Sequence, residues 1–220
     1  SLTVLLAEGQ GRFGRRQDLA FLEIPDAVDV GDLDGDGKAD ALVTFAGYPQ
    51  VGHISVLLGD GAGGFTSDTR FTAGEEPRRA ELGDLNGDGN LDFAVGNGSV
   101  RLGNGLGGFG PRTDSGTRGY TIAIADLSLD GKLDLVSESA SRVGVSVRIG
   151  NGLGGFASGG DFSIGSRPFG VLAAELSGDG LPDLATVNPD FGEVAVLLGT
   201  GAGTFGAAAR ISVGDFPRSI

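Results

Sequence analysis

The chain has 220 residues, 43 of them Gly, with no Cys and a net charge of −13. The acidity excludes a surface that neutralises a nucleic-acid backbone, the lack of Cys excludes disulfides and thiol chemistry, and no apolar run is long enough to span a membrane. With 40% hydrophobic residues and no Gly-X-Y period, the composition is that of a folded chain whose glycines punctuate turns.

In chain order, the first landmark is a Gly-rich turn, EGQGRF, ending at Phe13. Pro25 then opens a fuller unit: an apolar strand at 27–30, an acidic loop at 32–40, strands at 41–45 and 54–58, the turn GDGAGGF ending at Phe65, and a more polar strand at 69–72. The order repeats from Pro77, with a loop at 84–92, a strand at 93–95 and a turn ending at Phe109. From Gly119 it gives strands at 121–125 and 143–149, a loop at 126–134 and a turn ending at Phe156. From Pro168 it gives strands at 171–174, 184–187, 194–198 and 208–212, a loop at 175–183 and a turn ending at Phe205. Pro217 opens one more unit, and the Phe landmarks recur at intervals of 52, 44, 47 and 49 residues.

Repetition of four short strands at this period is the signature of propeller blades, and a β-sandwich needs no such repeat. The expected fold is therefore all-β, a β-propeller of four-stranded antiparallel blades with about four and a half repeats. The whole of 1–220 forms one propeller or propeller segment, with repeats at about 1–24 (partial), 25–76, 77–118, 119–167, 168–216 and 217–220 (partial). Val, Ile and Leu dominate strands one to three, which predicts burial on both faces; the polar fourth strand suits an exposed edge. The Phe landmarks are expected in the core, each wedging a turn against the next blade. A start at Ser1 reads as a processed form or excised segment, and in register the stretch matching 172–192 has no counterpart at the termini. The expectation is a segment of a longer propeller or a homo-oligomer.

The first acidic loop places Asp32, Asp34, Asp36 and Asp40 at positions 1, 3, 5 and 9, with Gly37 at position 6. Alternate side chains of a tight loop converge on one point, and that many hard oxygen donors suit Ca²⁺. The carbonyl of Lys38 at position 7 is the expected fifth ligand. The corresponding sets are Asp84, Asn86, Asp88, Asn90 and Asp92; Asp126, Ser128, Asp130, Lys132 and Asp134; and Glu175, Ser177, Asp179, Leu181 and Asp183. An EF-hand is excluded, because position 12 is Val43 within a strand. Up to four structural Ca²⁺ ions are expected, the first two loops binding more tightly than the last two, which carry Ser at position 3.

The series V-x-V-L-L-G-x-G-x-G-x-F, P-x-x-V/I and G-D-L-D-G-D-G-x-x-D resembles the FG-GAP/VCBS repeat family. That family includes the integrin α-subunit β-propeller and fungal lectins resembling the Psathyrella velutina lectin. The resemblance covers essentially the whole chain. It implies a propeller with Ca²⁺ in the loop between strands one and two of each blade, and recognition roles: cell adhesion, glycan binding, or an accessory module on secreted enzymes.

The expected function is a calcium-stabilised, secreted or cell-surface recognition module that binds carbohydrate. The alternatives are a protein-binding adhesion module and a non-catalytic accessory domain or fragment of a polysaccharide-acting enzyme. Catalysis has little to work with, since there is one His, no Cys, and most clustered carboxylates belong to the loops. Candidate ligand contacts are Tyr48 and His53 in an insertion of the longest repeat. Basic residues just before strand one, Arg78 and Arg79, Arg118 and Arg167, are candidates for an anionic glycan.

Overall fold

The computed structural model describes residues 1–47, 51–139, 141–218 and 220. Every regular element among them is a strand. A hairpin comes first, β1 (Leu2–Gly9) and β2 (Arg12–Leu19). The first sheet is β3 (Ala27–Gly31), β4 (Asp40–Phe45), β5 (Gly52–Leu57) and β6 (Thr69–Gly74). The second is β7 (Ala80–Gly83), β8 (Asp92–Val95), β9 (Ser99–Arg101) and β10 (Thr113–Asp114). The third is β11 (Ile122–Ala125), β12 (Asp134–Glu138), β13 (Gly144–Gly150) and β14 (Phe156–Ser163). The fourth holds β15 (Gly170–Ala174), β16 (Asp183–Asn188) and β17 (Glu193–Leu197); after a small hairpin of β18 (Gly199–Gly201) and β19 (Thr204–Phe205), β20 (Ala209–Ser212) completes it. Each is an antiparallel meander with strands in sequence order, a propeller-like blade.

Period-two alternation builds the core. From β4, Ala41, Val43 and Phe45 face the hairpin, where they meet Leu2, Leu19 and Phe21. Leu42 points the other way and joins Ile54 and Val56 against Phe93 and Val95 of the second sheet. The same arrangement packs Ala94 and Val100 against Ile122 and Leu135, and Val136 and Val147 against Leu184 and Leu197. The sheets are thus stacked in chain order, each interface a separate apolar cluster. The strands β3, β7, β11 and β15 lie side by side along one edge of the stack.

Four Phe landmarks enter these clusters, packed against the preceding sheet or hairpin and not, as expected, against the next one. Phe109 lies 4.8 Å from Phe93 and 5.5 Å from Phe71 of the preceding sheet. Phe205 lies 5.2 Å from Phe162, and Phe65 and Phe156 pack in the same way. Burying a Phe contributes about 2 kcal/mol. Phe13 departs from the expectation. It is 64% exposed, because no cluster lies on the outer side of the hairpin among the described residues.

Strand two of each sheet is buried at every residue, and strand four is mostly exposed. Strand one corrects the expectation of burial on both faces. Val28 and Val30 of β3 and Leu172 of β15 are exposed. These strands are sheet edges: β3 lies beside β7 and β15 beside β11, and the hairpin packs on β4 rather than on β3.

Candidate metal centre

Each acidic loop joins strand one to strand two, and its ninth residue is the first residue of strand two. Asp40, Asp92, Asp134 and Asp183 are at most 1% exposed. Each carboxylate accepts two backbone amides. For Asp40 these are Leu33, inside the loop, and Gly59, in the Gly-rich turn, both at 2.7 Å. Asp92 takes Leu85 and Gly103, Asp134 takes Ser128 and Gly150, and Asp183 takes Leu176 and Gly199. The first turn glycine is obligatory: a Cβ on Gly59, Gly103, Gly150 or Gly199 would collide with the carbonyl oxygen of Ala39, Leu91, Leu133 or Pro182.

The loop also joins one sheet to the next. The Leu33 carbonyl accepts the amide of Gly107, in the Gly-rich turn of the following sheet, at 2.9 Å. Gly154 donates to Leu85 at 3.1 Å and Gly203 to Leu127 at 3.0 Å. Leu33, Leu85 and Leu127 are buried at these joints, whereas Leu176 of the fourth loop is 50% exposed.

Position 1 organises the loop backbone. Asp32 accepts the amides of Gly35, Asp36 and Gly37, and Asp84 repeats the pattern with Gly87, Asp88 and Gly89. Position 4 requires a left-handed backbone, with φ of 76° at Gly35 and 60° at Leu129. Asp126 accepts the amides of Asp130 and Gly131. Leu129 is 54% exposed and has little packing to lose. Leu129→Gly is expected to raise stability by up to about 1 kcal/mol, because left-handed backbone is unfavourable for L-residues. Urea unfolding of the two proteins checks this. Glu175, one methylene longer, reaches Ser177 and Gly178 instead.

The carboxylate oxygens of Asp32, Asp34 and Asp40 lie within 4.8 Å of one another, and among the described residues this is the one such acidic convergence. Partial desolvation, followed by the charges of Asp36, Asp40 and Asp32, holds the Asp34 carboxyl above its usual range. A cation would relieve that repulsion. Asp36 and Asp130 instead sit low, each hydrogen-bonded by the lysine two residues on. In the third loop, the buried Ser128 Oγ lies beside the Asp130 and Asp134 carboxylates, whose charged forms it favours. The donor set is all oxygen, which fits a hard cation such as Ca²⁺.

The FG-GAP-like repeat profile matches residues 44–95 and 126–186, together more than half of the chain. The chain belongs to the FG-GAP-like repeat family. Its FG-GAP-like fold is shared with solved structures. One is an Agrocybe aegerita lectin described as specifically recognising non-reducing terminal N-acetylglucosamine: identity is 22%, TM-score 0.64, and the match covers 96% of this chain and 60% of that one. Another is the V. cholerae biofilm matrix protein Bap1, with 21% identity and TM-score 0.57, covering 84% of this chain and 28% of that one. This chain therefore spans less than two thirds of either structure's length. No curated protein gives a significant match.

The remaining candidate residues are scattered over the FG-GAP-like repeats. Tyr48 lies outside the described residues. The His53 ring stacks on buried Phe45, with centroids 4.6 Å apart, and its Nδ1 is 3.7 Å from Glu23. Arg118 forms an ion pair with Asp114 at 2.9 Å. Arg79 and Arg167 come together beside Arg78 in one cavity with Tyr120, Phe169 and Arg218. The sequence reading did not select the last three. The signal was a basic residue beside the repeat-opening proline, as in Pro77-Arg78, Arg167-Pro168 and Pro217-Arg218.

Proposed function

We propose that this chain is a Ca²⁺-braced recognition module of the β-propeller type that works outside the cell and binds carbohydrate. The metal would be held by the side chains at positions 1, 3, 5 and 9 of each acidic loop and by the carbonyl at position 7. Ca²⁺ supplies charge neutralisation and fixes the loop. Because Leu33, Leu85 and Leu127 belong both to these loops and to the joints with the next sheet, a bound ion would stiffen the stacking of the sheets as well as each loop.

One observation carries the carbohydrate reading: the fold is shared over nearly the whole chain with a lectin. The reading is non-catalytic. The one His is packed on Phe45, and the carboxylates at position 9 are tied to backbone amides. No helix among the described residues is long and apolar enough to cross a membrane. The likeness to a biofilm matrix protein supports an extracellular setting and gives a second reading, a protein-binding adhesion module.

A glycan array probed with the chain in Ca²⁺ and again in EDTA tests the function. Binding to a defined set of sugars that weakens on chelation is the expected result. Silence on every glycan, with capture by a matrix protein surface, would favour adhesion instead.

A further inference from the structure

We propose that the mouth where β7, β11 and β15 begin is a binding site for an acidic saccharide, its guanidinium groups holding a sugar-borne carboxylate. This rests on the carbohydrate reading above and names the ligand class. The mouth is a cavity of about 600 Å³, within the range of small-ligand sites. Arg78 and Arg79 precede β7, Tyr120 precedes β11, Arg167 and Phe169 precede β15, and Arg218 follows Pro217. The site therefore lies at the opposite end of β7, β11 and β15 from the acidic loops.

Three of the four arginines are held in place before any ligand arrives. Glu138, 2% exposed, accepts a hydrogen bond from Arg167 Nε at 2.6 Å. The guanidinium carbons of Arg78 and Arg167 lie 4.6 and 4.5 Å from the centre of the Tyr120 ring, an arrangement favoured by the ring quadrupole. Arg218 lies over Phe169 at 5.9 Å. Glu138 offsets only Arg167. Asp26 and Asp190 line the wall, yet among the described residues no carboxylate is within ion-pair distance of Arg78, Arg79 or Arg218. Asp26, Asp190 and Glu138 thus face four arginines, and Arg78 and Arg218 keep their donors free of any ion pair among the described residues.

The chemistry follows from the groups present. A guanidinium offers a planar fork of donors that matches a carboxylate. Phe169 and Phe216, 51% and 70% exposed, stand in the same wall and give apolar faces for a sugar ring. An acidic peptide would use the arginines but has no need of two exposed rings.

Titration calorimetry on the Ca²⁺-loaded chain decides the matter with four tetramers: cellotetraose, its C6-carboxylated form tetraglucuronate, its C6-sulfated form, and tetraglutamate. Tetraglucuronate is expected to bind at least about tenfold more tightly than cellotetraose, the scale of a hydrogen-bonded ion pair. Arg78→Ala and Arg218→Ala should each weaken it by about tenfold, with Arg78→Lys intermediate, and lower the melting temperature by no more than about 4 °C, the scale of a lost cation–π contact. Equal binding of the neutral and carboxylated sugars would overturn the mouth proposal while leaving the carbohydrate reading standing, as would tetraglucuronate binding that survives both alanine variants. Tighter binding of the sulfated sugar would overturn the carboxylate assignment. Equal binding of tetraglutamate would overturn the saccharide assignment. Silence on every glycan of the array overturns the carbohydrate reading itself.

Discussion

Asp92→Ala is expected to cost about 2–5 kcal/mol of unfolding free energy, in EDTA as well as in Ca²⁺. Asp92 is completely buried and its two oxygens accept the amides of Leu85 and Gly103 at 2.8 and 2.7 Å. Alanine leaves both donors buried without partners, at about 1–3 kcal/mol each. Part of that cost is offset, because burial already penalises the charged carboxylate and holds its pKa above the usual range. Asp92→Asn is no remedy, since the side-chain amide nitrogen it introduces would face one of the two donors. Asp88 provides the contrast. Its carboxylate accepts the Asn90 amide and an Asn86 side-chain nitrogen within the same loop, and Asp88→Ala should cost stability only when Ca²⁺ is present. Urea unfolding of both variants with and without Ca²⁺ separates a hydrogen-bonded pin from a metal ligand.

The second large effect is on pH dependence. Glu81 of β7 accepts the free edge amide of Ile124 at 2.9 Å. Burial first, and the Asp29 charge next, push its carboxyl up to about 7; the Ile124 amide and Arg79 act in the opposite direction. A carboxyl with a raised folded-state pKa stabilises the fold fully below its unfolded value, near 4.5. That contribution is lost as the pH rises through 7, because the folded state binds more protons than the unfolded one across this window. The loss amounts to about 3 kcal/mol at most. Glu81→Gln keeps an acceptor for Ile124 and removes the titration. At saturating Ca²⁺, the variant should gain on the wild type between pH 5 and pH 7.5 by up to that amount. Parallel unfolding curves at the two pH values would show that Glu81 is more solvated than its packing implies.

The repeat and its four-stranded sheets were legible because the signal is periodic. The turn glycines, the phenylalanines and the loop aspartates recur in phase, and alternation in β4 assigns Leu42 to one interface and Val43 to the other. The packing of the ends was not legible. The Gly-rich turn at Phe13 has the same local pattern as that at Phe205, yet Phe13 is exposed because no cluster among the described residues lies on its side of the hairpin. Likewise, Val28 reads as a core residue until β3 proves to be an edge strand with one packed face.

In the loops, spacing grouped Asp36 with Asp32, Asp34 and Asp40, whereas the structure brings together only the last three and pairs Asp36 with Lys38; nor did spacing show that the residue at position 9 is bonded to two backbone amides. The sequence reading also missed the joints, because the groups that form them are backbone: the Leu33 carbonyl and the Gly107 amide carry no residue-type signature. The arginine mouth was half visible. Arg78, Arg79 and Arg167 stood out by their place before strand one, but Tyr120 and Glu138, which fix two of them, come together only in the folded chain.

Calcium bracing is tested most directly by the melting temperature of the full chain in saturating Ca²⁺ and in EDTA. An independent site filled at about 100 times its dissociation constant adds roughly 2.7 kcal/mol, or about 5–10 °C in a chain of this size. A fall of at least that much on chelation, restored by Ca²⁺ and reduced by Asp32→Ala, is the predicted result. A melting temperature indifferent to chelation would contradict it.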